Sequence, residues 1–298
     1  VMMSQGKQFR EAVKENELLQ CLGATTAYHA LLAEKSGAKA LYVSGGGVAA
    51  GSLGVPDLGI STLNDVAIDV ERICSRTNLP VLVDIDTGWG GSLNIARAIN
   101  TLEKAGAAAI HIEDQVQQKR CGHRPNKVLV PKAEMLDRIK SAVDARINDD
   151  FVIMARTDSL AHHGLEAAID IMGACVEAGA DMVFPEAVSE LAVYKKITKL
   201  IAVPVLANIT EFGKTPLLTT DELISAGIKI ALYPLSAFRA ANQAALNVYQ
   251  QIISNGSQQS VLETMQTREE LYQYLGYHEY EQQLDQLLTK GEDDVNII

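Results

Sequence analysis

One cysteine of this sequence, Cys121, lies in a strongly basic stretch of the chain. Cationic and imidazole side chains beside a thiol lower its pKa towards neutrality, and a group that titrates near the working pH is a good proton donor and acceptor. We therefore predict that Cys121 is a catalytic acid. The basic neighbours predicted to assist it are Lys119, Arg120 and His123. The alternative is a solvated basic loop that contains an incidental cysteine.

Two pairs of polar residues stand two positions apart in the sequence, Asp84 with Asp86 and His111 with Glu113. Side chains alternate along a strand, so the members of each pair are expected to face the same way. Two inward carboxylates would repel each other unless a cation or hydrogen-bond donors lay between them. Oxygen ligands of this kind suit Mg²⁺, which keeps several of its waters. The alternative is that these residues cap helices and fill loops.

Eight short apolar runs, separated by helical stretches, are the elements that must position these residues. Four of the runs follow a recurring pattern of a helix end, a glycine and a strand. The glycines are Gly37, Gly106, Gly179 and Gly227, and each fits the position just past a helix, where a positive φ costs glycine little. The other four runs are Leu19–Thr25, Pro80–Asp86, Phe151–Asp158 and Pro204–Thr210. Two of the helices are predicted over Ser92–Ala105, with Ser92 as N-cap, and over Ser189–Leu200.

Alternating strands and helices indicate a parallel sheet, and eight strands close a barrel in a chain of this length. We predict a single (β/α)8 TIM-type barrel over residues 1–298, in which about 236–298 form a C-terminal helical extension. An open doubly wound sheet is the alternative, but no Gly-x-Gly-x-x-Gly motif follows the first strand. Barrel enzymes build their sites at the carboxyl ends of the strands. The polar residues at these ends are Ser44, Gly45, Gly46, Asp84, Asp86, His111, Glu113, Arg156, Asp158, Glu186, Asn208 and Thr210.

Composition excludes some classes of partner. The 298 residues carry a formal net charge of −11, which argues against nucleic acid or an anionic membrane as the main partner. No apolar run approaches the roughly 18 residues of a membrane span, and the first residues lack a signal-peptide core, so we predict a cytoplasmic location. The four cysteines form no Cys-x-x-Cys pair, which argues against a disulfide framework or a zinc knuckle.

The basic stretch around Cys121 resembles the signature of the isocitrate lyase and phosphoenolpyruvate mutase superfamily, on its lyase branch. Further similar segments are Ser44–Gly51, Val83–Gly88, Arg120–Lys127 and Asn208–Gly213. The resemblance covers about residues 5–290. It implies cleavage of a carbon–carbon bond in a small polycarboxylate, with 2-methylisocitrate giving pyruvate and succinate in the methylcitrate cycle of propionate catabolism. Isocitrate and dimethylmalate are the alternative substrates.

The resemblance also implies roles for individual residues. Asp84 and Asp86 would hold Mg²⁺, or Mn²⁺ in its place, partly through water and with His111 and Glu113 behind them. Substrate contacts would come from Ser44, Gly45, Gly46, Cys121, Gly122, Arg156, Glu186, Asn208, Ile209, Thr210, Arg239 and Arg268. The base that takes the substrate's hydroxyl proton stays open between Tyr42 and Asp57. A homotetramer that exchanges its eighth helix between subunits is implied as well.

Other functions fit these residues less well. A Schiff-base aldolase needs a lysine at an inward strand position, and no predicted strand end offers one. A phosphoenolpyruvate mutase or phosphonate hydrolase would not need Cys121. A catalytically silent binding protein would be indicated by loss of Cys121, Asp84 or Asp86, and all three are present.

Overall fold

Eight parallel β-strands form a nearly closed barrel in the computed structural model, which describes residues 3–295 and the side chains of residues 3–288. The strands are β1 (Leu19–Gly23), β2 (Ala40–Val43), β3 (Val81–Asp84), β4 (Ala109–Glu113), β5 (Val152–Thr157), β6 (Met182–Pro185), β7 (Leu206–Asn208) and β8 (Ile230–Tyr233). β1 pairs with both β2 and β8, and an isolated bridge from Val183 to Val205 joins the two remaining edges. The predicted (β/α)8 barrel is confirmed.

Helices surround this barrel and continue after its last strand. The α-helices are α1 (Gln5–Glu15), α2 (Ala27–Lys35), α3 (Gly45–Gly47), α4 (Leu63–Cys74), α5 (Ser92–Lys104), α6 (Lys132–Ala145), α7 (Leu160–Glu177), α8 (Leu191–Leu200), α9 (Thr220–Ser225), α10 (Ser236–Asn255), α11 (Arg268–Leu275) and α12 (Tyr277–Val295). A π-helix, Val48–Leu53, follows α3, and a 3₁₀ helix, Gln259–Thr264, precedes α11. No helix among the described residues is long and apolar enough to cross a membrane. The cytoplasmic location stays a prediction.

The recurring glycines end helices as predicted, and each has a positive φ, for example 104° at Gly106. A Cβ on Gly106 would also lie 2.8 Å from the Cβ of Cys74, so a larger residue does not fit there. The two predicted helix starts are wrong by one or two residues. Gly91 is the N-cap of α5, so Ser92 is its first residue, and α8 follows Glu190 rather than Ser189. Neither of these N-cap residues makes a side-chain hydrogen bond to its helix, and neither Ser92 nor Ser189 is the N-cap.

Alternation along the strands divides the apolar core into two layers. Val83 and Ile85 pack outwards against the helices, whereas Leu82 points into the barrel. Phe9 of α1 is fully buried in the interior layer, so α1 closes the amino-terminal end of the barrel. Apolar side chains therefore fill the interior from that end, and the polar groups are left at the carboxyl ends of the strands.

The chain divides into two compact units, the barrel up to Arg239 and a helical unit that begins at Ala240. The division lies close to the predicted start of the C-terminal extension at about 236. The helical unit has several large apolar side chains in water, including Tyr249, Ile253 and Leu287. Residues 1–2 and 296–298 of the predicted single domain lie outside the described residues. Exchange of a helix between subunits stays a prediction.

Candidate active site

A cavity of about 290 Å³ opens at the carboxyl ends of the strands. Most of the residues predicted at the site line it, although they come from segments spread over some 200 positions of the sequence. These predicted lining residues are Tyr42, Ser44, Gly46, Asp57, Asp84, Lys119, Cys121, Gly122, His123, Arg156, Glu186, Asn208, Thr210 and Arg239.

The other predicted residues lie elsewhere. Asp86, His111 and Glu113 are buried beside or below the lining, and the backbone N–H of Gly45 donates to Asp84 Oδ2 at 3.1 Å. The side chains of the remaining three point away from this cavity or belong to another unit. Ile209 packs in the apolar layer between strands and helices, Arg120 is exposed outside the lining, and Arg268 begins α11 in the helical unit.

Asp84 and Asp86 reach the same place by different routes. Asp84 ends β3 with its side chain inwards, as alternation predicts. Asp86 lies beyond the strand with a φ of 50°, and its backbone N–H donates to Asp84 Oδ1 at 2.9 Å. A tight turn, rather than strand alternation, therefore brings the second carboxylate in. Lys119 Nζ lies between acids, 2.7 Å from Asp86 Oδ1 and 2.6 Å from Asp57 Oδ1.

The donor set fits a hard divalent cation. Burial, and then the neighbouring Asp84, raise the pKa of Asp86 to about 7, so the pair holds more negative charge than its surroundings favour. A Cβ on Gly45 would lie 3.0 Å from Asp84 Oδ2 and 3.3 Å from Asp86 Oδ1, so this glycine leaves space beside both carboxylates. The described residues contain no ligating cluster of three or more His, Cys, Asp or Glu side chains. A cation there would keep water or substrate oxygens as its other ligands, as Mg²⁺ does.

Behind this pair, Tyr42 and His111 form a buried hydrogen bond of 2.8 Å between the phenol oxygen and Nε2. Burial lowers the pKa of His111 to about 4, so its ring is neutral near pH 7. Burial, and then Asp84, raise the pKa of Tyr42 well above its ordinary value. Tyr42 also lines the cavity, so its phenol connects the substrate space to the histidine.

Arg156, on β5, is a buried cation of the cavity lining that pairs with three carboxylates. Its guanidinium lies 3.1 Å from Glu113 Oε2, 3.0 Å from Asp158 Oδ2 and 3.3 Å from Glu186 Oε2. Burial alone would raise the pKa of Glu186, but Arg156 and His123 outweigh it and hold that pKa well below its ordinary range. The guanidinium is therefore fixed from three sides while it still faces the cavity.

The loop that carries Cys121 connects β4 to α6 and spans residues 114–131. Cys121 itself is exposed and lines the cavity. Two of the side chains predicted to assist its thiol have carboxylate partners instead. Lys119 pairs with Asp86, as described, and His123 Nε2 faces Glu186 Oε1 at 3.2 Å while Nδ1 accepts from the backbone N–H of Lys214. Lys119 and His123 therefore help to hold the site together, and their influence on the thiol stays a prediction.

Sequence reasoning missed part of the lining, and most of the missed residues are apolar. The residues that it did not identify are Arg124, Phe184, Glu211, Phe212, Gly213, Leu232, Pro234 and Leu235. Leu232 lies near the end of β8 and Pro234 directly follows the strand, so the position of that strand was a usable signal. The search for reactive side chains passed over them because they are apolar. They give the cavity a wall that can contact a hydrocarbon group.

These features place the protein among the (β/α)8-barrel enzymes, whose sites open at the carboxyl ends of the strands. A family model described as phosphoenolpyruvate phosphomutase matches residues 9–253. The chain is 57% identical over 294 residues to the 2-methylisocitrate lyase of Vibrio cholerae, which covers 97% of this chain and 96% of that one. It is 58% identical to the 2-methylisocitrate lyase of Escherichia coli, over 97% of this chain and 98% of that one.

Solved structures agree with these relatives. A 2,3-dimethylmalate lyase matches with a TM-score of 0.89 and 34% identity over 96% of each chain. A phosphonopyruvate hydrolase in complex with oxalate and Mg²⁺ matches with a TM-score of 0.83 and 27% identity, over 94% of this chain and 97% of that one. The chain belongs to the phosphoenolpyruvate phosphomutase family, and within it to the group of the 2-methylisocitrate lyases.

Proposed function

We propose that this protein is a Mg²⁺-dependent lyase that cleaves 2-methylisocitrate to pyruvate and succinate in propionate catabolism. The observation that carries the proposal is that one cavity holds the inward carboxylate Asp84, the guanidinium of Arg156 and the exposed thiol of Cys121. The names of the relatives supply the substrate, because they are 2-methylisocitrate lyases over nearly the whole chain. The same superfamily includes a structure with Mg²⁺ bound.

Asp84 and Asp86 would hold the metal, with Mn²⁺ as a possible substitute. When bound, Mg²⁺ would stabilise negative charge on the hydroxyl oxygen and on the carboxylate beside it. The backbone N–H of Gly45 donates to Asp84 Oδ2 at 3.1 Å and keeps this carboxylate in place, and the neutral ring of His111 lies 3.7 Å from Oδ1. Glu113 supports the other side of the site through its ion pair with Arg156.

The reaction needs a base, a holder for the developing charge and an acid. Asp57 as a carboxylate, or Tyr42 as its own proton passes to the neutral His111, would take the proton from the tertiary hydroxyl. The electron pair left on that oxygen forms the carbonyl of pyruvate. The electron pair of the breaking carbon–carbon bond then moves onto the carbon that becomes part of succinate and spreads into its carboxylate. Arg156 would stabilise that carboxylate, since fixed charges aimed at developing charge are usually a large catalytic contribution. Cys121 would donate its thiol proton to the carbon.

The substrate carboxylates need donors that the cavity supplies. Ser44, Gly46, Asn208, Thr210 and Arg239 are polar or backbone groups that line it. Gly122 is in the lining too, and a Cβ there would clash with the carboxylate of Glu186, so a larger residue does not fit at this position.

The apolar wall favours a methyl-bearing substrate over isocitrate. Phe184 and Leu232 line the cavity together with its polar groups, and the Phe184 ring lies 5.3 Å from the guanidinium of Arg156. A methyl group in such a pocket contributes about 1–3 kcal/mol, which corresponds to roughly 10–200-fold in specificity. Dimethylmalate is the second methyl-bearing candidate, because a 2,3-dimethylmalate lyase has nearly the same fold.

The test is a lyase assay with Mg²⁺ on 2-methylisocitrate, isocitrate and 2,3-dimethylmalate in parallel, with pyruvate and glyoxylate detected separately. We expect the highest kcat/KM with 2-methylisocitrate, loss of activity in EDTA and recovery on addition of Mg²⁺. A preference for isocitrate would reassign the substrate and leave the metal and acid roles in place. Activity that survives EDTA would remove the metal from the proposal.

We also propose a homotetramer in which α10, the eighth helix of the barrel pattern, is exchanged between subunits. The exposed apolar side chains of the helical unit support an interface there, since large apolar patches on a protein surface usually contact a partner. In such an assembly Arg268 would contact substrate, as would the main chain of Ile209. Light scattering gives the subunit number, and an Arg268→Gln variant that keeps the wild-type KM would exclude the contact.

A further inference from the structure

Two buried side chains hold the main chain on either side of Cys121. Gln115 is 1% exposed, and its side-chain amide makes two hydrogen bonds to the backbone of Arg120. Its Nε2 donates to the carbonyl oxygen of Arg120 at 2.9 Å, and its Oε1 accepts from the N–H of the same residue at 3.0 Å. The residue that directly precedes the cysteine therefore has both of its backbone polar groups fixed by one side chain.

Lys127 fixes the residue that follows the cysteine. Its Nζ donates to the carbonyl oxygen of Gly122 at 2.6 Å and to Asp158 Oδ1 at 2.5 Å, and it is 6% exposed. A buried ammonium needs compensating partners, and this lysine spends one of its three protons on the loop backbone. Cys121 thus lies between two anchored peptide groups, although its own side chain is exposed.

Gln115 and Lys127 are both connected to the guanidinium of Arg156. Gln115 Nε2 also donates to Glu113 Oε1 at 3.0 Å, and the other oxygen of Glu113 lies 3.1 Å from Arg156. On the other side, Asp158 accepts from Lys127 and also from the Arg156 guanidinium, at 3.0 Å. The position of the loop and the position of the guanidinium are therefore linked through two short chains of contacts.

We propose that Gln115 and Lys127 are positioning residues. They fix the distance of Cys121 from the cavity and couple its position to that of Arg156. The inference rests on the proposed role of Cys121 as the acid. Proton transfer to carbon needs the thiol within reach of one atom, and a misplacement of about 1 Å can cost on the order of 100-fold in rate. Neither residue lines the cavity, so their removal should change the placement of the acid more than the binding of substrate.

The first experiment does not depend on the function. Arg120 is exposed, so trypsin can reach its side chain, but cleavage after it requires the clasped backbone to open. In Gln115→Leu and Lys127→Met we expect cleavage after Arg120, followed by mass spectrometry, to accelerate on the order of tenfold, because each change removes a buried hydrogen bond. Gln118→Leu in the same exposed loop and Lys132→Met on the surface of α6 are the matched controls, and both should be cleaved at the wild-type rate.

The second experiment separates positioning from folding. In both variants kcat should fall on the order of 100-fold while KM stays close to the wild-type value. If Lys127→Met does not fold because Asp158 is left with less compensation, Lys127→Met combined with Asp158→Asn removes both charges and is compared with Asp158→Asn alone.

Cleavage after Arg120 at the wild-type rate would overturn the anchor on that side of the cysteine. A lower melting temperature with kcat unchanged would reduce the two residues to a structural role and would also overturn the proposal. If the wild-type chain cleaves none of the three acids, the proposed function fails, and the trypsin comparison still decides whether the anchors exist.

Discussion

Lys119 Nζ lies 2.7 Å from Asp86 Oδ1, so a fixed cation already stands against the carboxylate pair that is proposed to bind a divalent one. The lysine is buried and also pairs with Asp57. Burial alone would lower the pKa of Lys119, but Asp86 and the other acids outweigh it and raise that pKa well above its ordinary value. Metal binding must therefore occur beside a charge of the same sign.

Removal of that charge should strengthen metal binding. In Lys119→Met we expect Mg²⁺ to bind on the order of tenfold more tightly, because repulsion between like charges in a buried site is only partly screened. Calorimetric titration of the protein with MgCl₂ measures this without any turnover. Lys132→Met, whose lysine pairs with Asp170 on the surface, is the control. Unchanged or weaker Mg²⁺ binding would show that Lys119 organises the ligands rather than opposing the ion.

Substitution of the proposed acid should act on turnover alone. Cys121→Ser keeps the shape of the side chain but replaces a thiol by a hydroxyl that donates a proton far less readily. We expect kcat to fall 100-fold to 10,000-fold, roughly the contribution of a general acid, with KM little changed. Cys74→Ala, far along the chain in α4, should keep wild-type activity. Turnover of Cys121→Ser near the wild-type level would remove the cysteine from the mechanism.

The two candidate bases can be distinguished by one pair of variants. Tyr42→Phe removes the phenol that bonds His111, and Asp57→Asn removes one of the two carboxylates around Lys119. The true base should lose on the order of 100-fold or more in kcat when replaced, and the other residue should lose much less. Steady-state kinetics on both variants with saturating Mg²⁺ gives the answer. Equal losses would indicate that the two residues act together.

The four cysteines should differ sharply in reactivity. Cys121 is exposed, whereas burial raises the pKa of Cys74 and of Cys175 to about 12, and Cys21 is fully buried. Only the thiolate attacks an alkylating reagent, so thiols with a raised pKa stay unreactive at pH 8. Iodoacetamide should therefore add one group per native chain, at Cys121, and none to Cys121→Ser. Rapid modification at a second cysteine would mean that the barrel opens more readily than its packing indicates.

Glu186 should make stability depend on pH in the acid range. Its pKa is lowered in the folded protein, so its charge stabilises the fold above the ordinary glutamate pKa of about 4.3, and this stabilisation is lost as pH falls towards the folded value. Wild type should melt at a higher temperature than Glu186→Gln at pH 7, and the gap should narrow below about pH 4. Calorimetry between pH 7 and pH 3 measures it. A gap that does not change with pH would contradict an ionised Glu186.

The barrel and most of its rim could be predicted because they depend on local periodicity. The glycines that end helices and the inward position of Asp84 follow from backbone geometry of a few residues. Asp86 lies beside Asp84 as predicted but for a different reason, since a turn with positive φ, and not strand alternation, carries it there.

The ion-pair partners of the charged side chains could not be predicted in the same way. Lys119 meets Asp57 and Asp86, 62 and 33 positions away in the sequence, and no local pattern records such a pairing. The apolar wall was missed because phenylalanine and leucine, the residue types at 184 and 232, are ordinary core residues. What distinguishes Phe184 and Leu232 is their position along the barrel axis, which depends on the register of the whole sheet.

The closure of the barrel by α1 has a consequence for how substrate and products enter and leave the enzyme. Because Phe9 and the interior layer block one end, one substrate molecule and two product molecules must share a single doorway in each cycle. The segment that bears Cys121 stands at that doorway. Any molecule that enters or leaves this cavity therefore passes the exposed Cys121.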